Sequence, residues 1–319
     1  MRETKLKISN SGNKDAVKVL HYYALFKYPV TVAEIHGSCS TKCSIAEIKA
    51  ILDNMEHTGK VFRFNEFYSL SPFMEEQVYL RKQANELALK KIKAARICAG
   101  IINSFPFVRF VGISGSMSKG YASPNSDFDF FIITEANRLW ICRTLLHLFK
   151  KLTFIVKRQH SFCMNYFIDT TDLEIEEKNI FTAIELSSLT PVHGARAYAQ
   201  LQNSNRDWVT SLLPNGYVRF NKPVPVFNKK SIAKRFAEFL LDRCFADKLN
   251  EKLMLITDYR WRKKWTNKNY PMTEYDLAFK TTLHISKNHP ANHQKRVLEK
   301  LKEAGFSNQP HNLKTSVNS

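Results

Sequence analysis

Two aspartates separated by one residue, Asp127 and Asp129, stand in a hydrophobic run that continues through Phe130, Phe131, Ile132 and Ile133. In an extended strand successive side chains point to opposite faces, so both carboxylates share one face while Phe128 and Phe130 turn to the core. Carboxylates this close repel each other unless something neutralises them. Hard oxygen donors suit Mg²⁺, which makes the pair a candidate metal site. Upstream, the strand Val108–Ile113 runs into Ser114-Gly115-Ser116. Glycine lets the backbone approach a ligand closely. Backbone N–H groups with the Ser116 hydroxyl can then hold phosphate oxygens where a helix starts.

Gly115-Ser116, ten intervening residues, then Asp127-Phe-Asp129 in a hydrophobic strand resembles the DNA polymerase beta-like nucleotidyltransferase superfamily. The likeness covers residues 107–134 closely and reaches toward Gly194 loosely. It implies transfer of a nucleoside monophosphate from an NTP, ATP first, to an acceptor, with Mg²⁺ on Asp127 and Asp129. It places Gly115, Ser116 and Lys119 at the nucleotide. The family usually carries a third carboxylate on the next strand, here Phe162–Ile168. That strand offers Asn165 instead, and Asp169 lies on the same face at the strand end. The departure counts against processive polymerase chemistry more than against single nucleotidyl transfer. Asn165-Tyr166, Asn179 to Glu185 and Pro191-Val-His-Gly194 are similar to a group of bacterial members of the superfamily. On that likeness Asn165 joins the nucleotide site, and Glu185 is the candidate base.

These residues need elements to hold them. The sequence predicts an α+β chain with an N-terminal winged helix, a central small mixed-sheet nucleotidyltransferase domain and C-terminal helices. The expected divisions are 1–72, a connecting helix over 73–104, the catalytic domain over 105–200, a helical domain over 201–306 and a disordered tail over 307–319. The first helix is placed near Asp15–Phe26, with Val17, Leu20 and Ala24 on its inner stripe. Thr31-Val-Ala-Glu34 and Ser44-Ile-Ala-Glu47 read as capping boxes. The second opens a helix bearing Ile48, Ile51, Leu52 and Met55. Residues 61–64 and 67–70 flank Asn65-Glu66 as a hairpin. In a DNA-binding winged helix the helix from Ser44 would read bases. Apart from Lys49 it is poor in base-reading side chains, so packing or dimerisation is the preferred role, with that helix not free to enter a groove. Further helices are predicted near 73–103, 137–151, 180–201, 231–256 and 295–304. Lys287, His289 and His293 fall before the last one, as exposed turn residues or as a metal pair.

The net charge is +19, with 44% hydrophobic and 24% charged residues. This composition predicts a mostly globular chain drawn to polyanions, so nucleic acid is an expected possibility alongside nucleotides and anionic lipid. Residues 229–268 hold twelve basic and five acidic side chains. No apolar run approaches the ~20 residues that span a bilayer. The polar N-terminus lacks a signal-peptide segment, and a cytoplasmic protein is expected. The six cysteines follow no metal or disulfide spacing. They are read as reduced thiols. The acceptor is left open among a small molecule, a lipid head group and a protein. RNA-end addition and a DNA-binding regulator with a degenerate transferase fold are the alternatives.

Overall fold

A computed structural model describes residues 10–153, 162–216, 231–242 and 245–306. The architecture is α+β. The expected tail over 307–319 lies outside the described residues.

The chain starts with α1 (Asn10–Ala24), β1 (Val30–Thr31), α2 (Val32–His36) and α3 (Ile45–His57), then β2 (Phe62–Phe64) and β3 (Phe67–Ser69). The three strands form an antiparallel sheet in the order β1-β3-β2. Both capping boxes form. The Thr31 and Ser44 hydroxyls accept from the N–H of Glu34 and Glu47, whose carboxylates reach back to the cap residues. Each box satisfies donors that a helix start leaves open. The inner face of α1 is Ala16, Val19, Leu20 and Tyr23; of the predicted stripe Leu20 is buried and Val17 packs against the core, while Ala24 is only partly buried. The helix begins earlier than expected, and Tyr23 packs beside Tyr22 and Tyr28.

A long helix, α4 (Met74–Ser104), leads onward. At ~1.5 Å per residue it spans about 46 Å. Arg81 on its first part donates to both Glu34 carboxylate oxygens, at 2.9 and 2.8 Å, and to the Pro29 carbonyl, and it sits over the Tyr28 and Phe67 rings. Its later part turns Ala95, Cys98, Ala99 and Ile102 into the core beside the main sheet.

The main sheet has six strands in the order β7-β4-β5-β6-β9-β8. They are β4 (Val108–Ile113), β5 (Asp129–Thr134), β6 (Cys163–Asp169), β7 (Thr190–His193), β8 (Phe279–Thr281) and β9 (Ile285–Asn288). Only β5 and β6 pair parallel. Between them in sequence runs α6 (Leu139–Thr153), after the single turn α5 (Gly115–Ser118). Parallel neighbours require such a crossover. Phe110, Phe130, Ile132, Ile133 and Phe167 are buried at the centre.

Three sequence expectations are corrected here. The segment 180–201 is not one helix. It forms α7 (Ile180–Ser188), then β7, then α8 (Ala195–Leu212). Pro191 cannot donate to a helix ladder. Gly194, at φ +89, lets α8 start against β4, where a Cβ would lie 2.0 Å from the Arg109 carbonyl oxygen. Likewise 231–256 divides into α9 (Ile232–Leu241) and α10 (Ala246–Thr266). The region expected to be wholly helical also supplies β8 and β9, preceded by α11 (Tyr275–Ala278) and followed by α12 (His293–Glu303). Among the described residues no helix is long and apolar enough to cross a membrane.

Candidate active site

The loop between β4 and β5 is fastened at both ends. The Ser114 N–H donates to the Asp129 carbonyl at 2.9 Å, joining the turn to the first residue of β5. Gly115 follows at φ +67, and a Cβ there would stand 2.6 Å from Asp129 Oδ2. The glycine is therefore required twice, for the left-handed backbone and for the space the carboxylate fills. Met117 is buried and anchors α5, while Ser116 is exposed. Farther along, α4 holds the loop down. Asn85 Nδ2 donates to the Gly120 carbonyl at 2.5 Å, and Lys91 Nζ donates to those of Ser123 and Pro124 at 2.9 and 2.7 Å.

Asp127 lies just ahead of β5, which starts at Asp129 rather than at Asp127. The alternation still holds, since Phe128 and Phe130 are buried and both aspartates are only partly so. Asn165 Nδ2 donates to Asp129 Oδ1 at 3.1 Å, and the Cys163 thiol donates to Asn165 Oδ1 at 3.3 Å. Asn165 owes this place to a bulge. Phe130 pairs with Met164 and Phe131 with Tyr166, leaving Asn165 as the extra residue. Bulges re-aim side chains in this way. From α7, Glu185 meets Lys119 Nζ at 2.5 Å. Burial pushes the Asp129 carboxyl up to about 6; the Cys163 thiol opposes this, the charges of Asp127 and Glu185 add to it, and Lys119 opposes it. Hence Asp127, Asp129, Glu185, Lys119 and Asn165 form one electrostatic cluster.

Asp169 does not join it. It is fully buried, accepts the N–H groups of Asn137 and Thr171 at 2.9 Å each, and meets His284 Nδ1 at 2.8 Å. Asp129 pairs with Cys163 and Thr134 with Asp169, so at ~3.3 Å per residue it lies about 16 Å along the sheet. Asn165 stands beside Asp129 on the neighbouring strand, with its amide donating to Oδ1. Lys287 is no exposed turn residue, being buried in β9 with Nζ 3.0 Å from Glu177 Oε1. Burial first, then the charges of Lys287 and His293, lowers the ring of His289 to about 4, while His293 opens α12.

Among the described residues no three His, Cys, Asp or Glu side chains form a ready metal cage. Asp127 and Asp129 are the carboxylates here that could hold Mg²⁺. Mg²⁺ commonly takes one or two protein carboxylates and completes its shell with water and phosphate oxygens. The Asp129 carboxyl is raised first by burial and then by the charges of Asp127 and Glu185, and a bound cation would offset both. Sequence reasoning missed Asn85, Lys91 and Cys163. The lysine had been visible only as one of many basic residues on α4, and the other two carry no signature.

No family model, no curated protein and no solved structure matches this chain.

Proposed function

We propose that this chain is a Mg²⁺-dependent nucleotidyltransferase that moves a nucleoside monophosphate from an NTP, ATP first, to a hydroxyl or phosphate of an acceptor. The observation that carries the reading is Asp129, crowded by Asp127 and Glu185 and pressed against the Gly115 turn. Asp127 and Asp129 would hold Mg²⁺. When bound, it supplies charge neutralisation for the triphosphate and makes the acceptor hydroxyl more acidic. The Gly115-Ser116 turn takes phosphate oxygens through its backbone and the exposed hydroxyl. Lys119 turns from Glu185 to the triphosphate, a shift of one flexible side chain. Glu185, released from its ion pair, accepts the proton of the acceptor hydroxyl. Asn165 cannot accept a proton near neutral pH, and it keeps Asp129 in place.

Under this reading the division into an N-terminal winged-helix module, a connecting helix, a catalytic unit and a C-terminal region is retained as a proposal. The N-terminal module serves packing rather than base reading, though for a different reason than expected. Contrary to the expectation that this helix is not free to enter a groove, among the described residues the outer face of α3 is exposed. It carries Lys49, paired with Asp53 at 2.8 Å, together with Glu56. Glu56 is paired in turn with Arg63 at 3.8 Å, so these charges largely cancel and leave little to draw phosphates.

The test is incubation of the purified chain with each labelled NTP, Mg²⁺ and a cell extract, following which class of molecule takes up label. Asp127→Asn should reduce the rate by at least ~10²-fold, the scale of losing one preorganised electrostatic group. Undiminished transfer by that variant, or absence of label and of pyrophosphate with every NTP, overturns the reading.

A further inference from the structure

Helices α9 and α10 follow one another on the outside of the molecule, and their outward faces share an unusual composition. Around α10, at ~100° per residue, Phe245, Leu249, Ile256 and Tyr259 fall on one side, all well exposed. The same side holds Lys248, Lys252, Arg260 and Lys263, exposed as well. No carboxylate shares it. Asp247, Glu251 and Asp258 lie on the opposite flank, where Asp247 meets Arg138 at 2.5 Å and Asp258 meets Arg262 at 2.9 Å. On α9 the outward residues are Ile232, Arg235, Phe236, Phe239 and Leu240. Of its carboxylates Glu238 turns inward to Arg109 at 2.6 Å, while Asp242 stays exposed at the edge of the face and meets Arg138 at 2.6 Å. Ile232 is 84% exposed and Phe245 73%. Among the described residues these exposed apolar side chains recur along both helices rather than singly, as at surfaces that meet a partner.

We infer that the outer faces of α9 and α10 dock on an anionic lipid bilayer. Apolar side chains on such helices enter the boundary between head groups and acyl chains. Flanking lysine and arginine stems lie along it with their charges at the phosphates. Charge complementarity selects this occupant. A second copy of the chain would bring two mainly cationic faces together, with only the flanking Asp242, Asp247 and Glu251 to offset them. Single-stranded nucleic acid could use the aromatic rings, but bases gain nothing from Ile232, Leu240, Leu249 and Ile256. The bilayer uses both the aliphatic and the basic residues. Attachment would be peripheral, along ~31 Å of α10 if that helix lies flat. This inference is independent of the proposed transfer chemistry.

The test is co-sedimentation of the full chain with vesicles of phosphatidylcholine alone, or with about a third phosphatidylserine. Binding is expected only to the anionic vesicles, with release at high salt. The pairs Phe236→Ser with Phe239→Ser, and Lys248→Glu with Lys252→Glu, should each weaken binding by ~10-fold or more, since both the apolar and the basic side chains contribute to interfacial affinity. All four side chains are exposed, so circular dichroism and melting temperature should stay as in wild type. No binding to anionic vesicles, or binding unchanged in both variant pairs, overturns the inference. So does polyuridylate that outcompetes the vesicles, or a concentration-dependent dimer that the phenylalanine pair disrupts in place of vesicle binding.

Discussion

Replacing Asp129 by Asn should stabilise the metal-free protein while abolishing the transfer reaction proposed for it. Burial first, then the neighbouring charges, holds this carboxyl up to about 6. An ordinary aspartate titrates near 3.9, and each pH unit of displacement corresponds to about 1.4 kcal/mol. Ionising Asp129 therefore costs the folded state on the order of 3 kcal/mol, or nearer ~2 after allowing for the water that still reaches it. The sign is set by proton binding. The folded chain holds this proton more tightly than the unfolded one, so stability falls as pH rises from about 4 to about 6 and then levels off. Asn carries no charge, and its carbonyl oxygen can still accept from Asn165. Melting of wild type and Asp129→Asn should coincide near pH 3.5 and separate through that window. Above pH 7 the variant should melt higher by roughly 3–4 °C for a chain of this size. Excess Mg²⁺ should raise wild type alone and narrow the gap, because ligand binding to the folded state stabilises it. A variant melting at or below wild type at pH 7.5, or a gap that fails to widen between pH 4 and 6.5, would refute the crowded-carboxylate account.

Gly115→Ala should lower both melting temperature and Mg²⁺ response, because the left-handed backbone alone costs roughly 1–2 kcal/mol and the new methyl displaces the Asp129 carboxylate; an unchanged melt would mean the turn relaxes freely. Arg81→Met removes the buried partner of Glu34, and chemical denaturation should show a loss of about 3 kcal/mol or more, partly recovered by adding Glu34→Gln. His289 confers stability that is complete above about pH 6.5 and lost as pH falls toward 4, so His289→Gln should flatten the acid limb of a melting-versus-pH curve. Glu185→Gln should remove the acidic limb of the transfer-rate profile, and a profile identical to wild type would take Glu185 out of the base role.

Much of the local structure was legible in the residues themselves. Capping boxes depend on groups three positions apart, and both formed where Thr31 and Ser44 announced them. The bounds of α4 and β4 follow apolar spacing and fell within a residue of expectation. The alternation through Phe128 and Phe130 leaves Asp127 and Asp129 together on the partly exposed side, for strand geometry allows little else. What sequence could not settle depends on partners distant along the chain. The bulge that turns Asn165 onto Asp129 exists only in the register between β5 and β6. Asp169 reads from its spacing as a site residue, yet packing buries it under two backbone N–H groups and His284 at the far end of β6. Lys91 becomes a clamp on the 123–126 loop only once α4 crosses it, and β8 and β9 become sheet only by pairing with one another and with β6. Short-range hydrogen bonds and side-chain periodicity are properties of a segment. Register, burial and charge crowding arise when segments meet, and in this protein the meeting decides which carboxylates share a site.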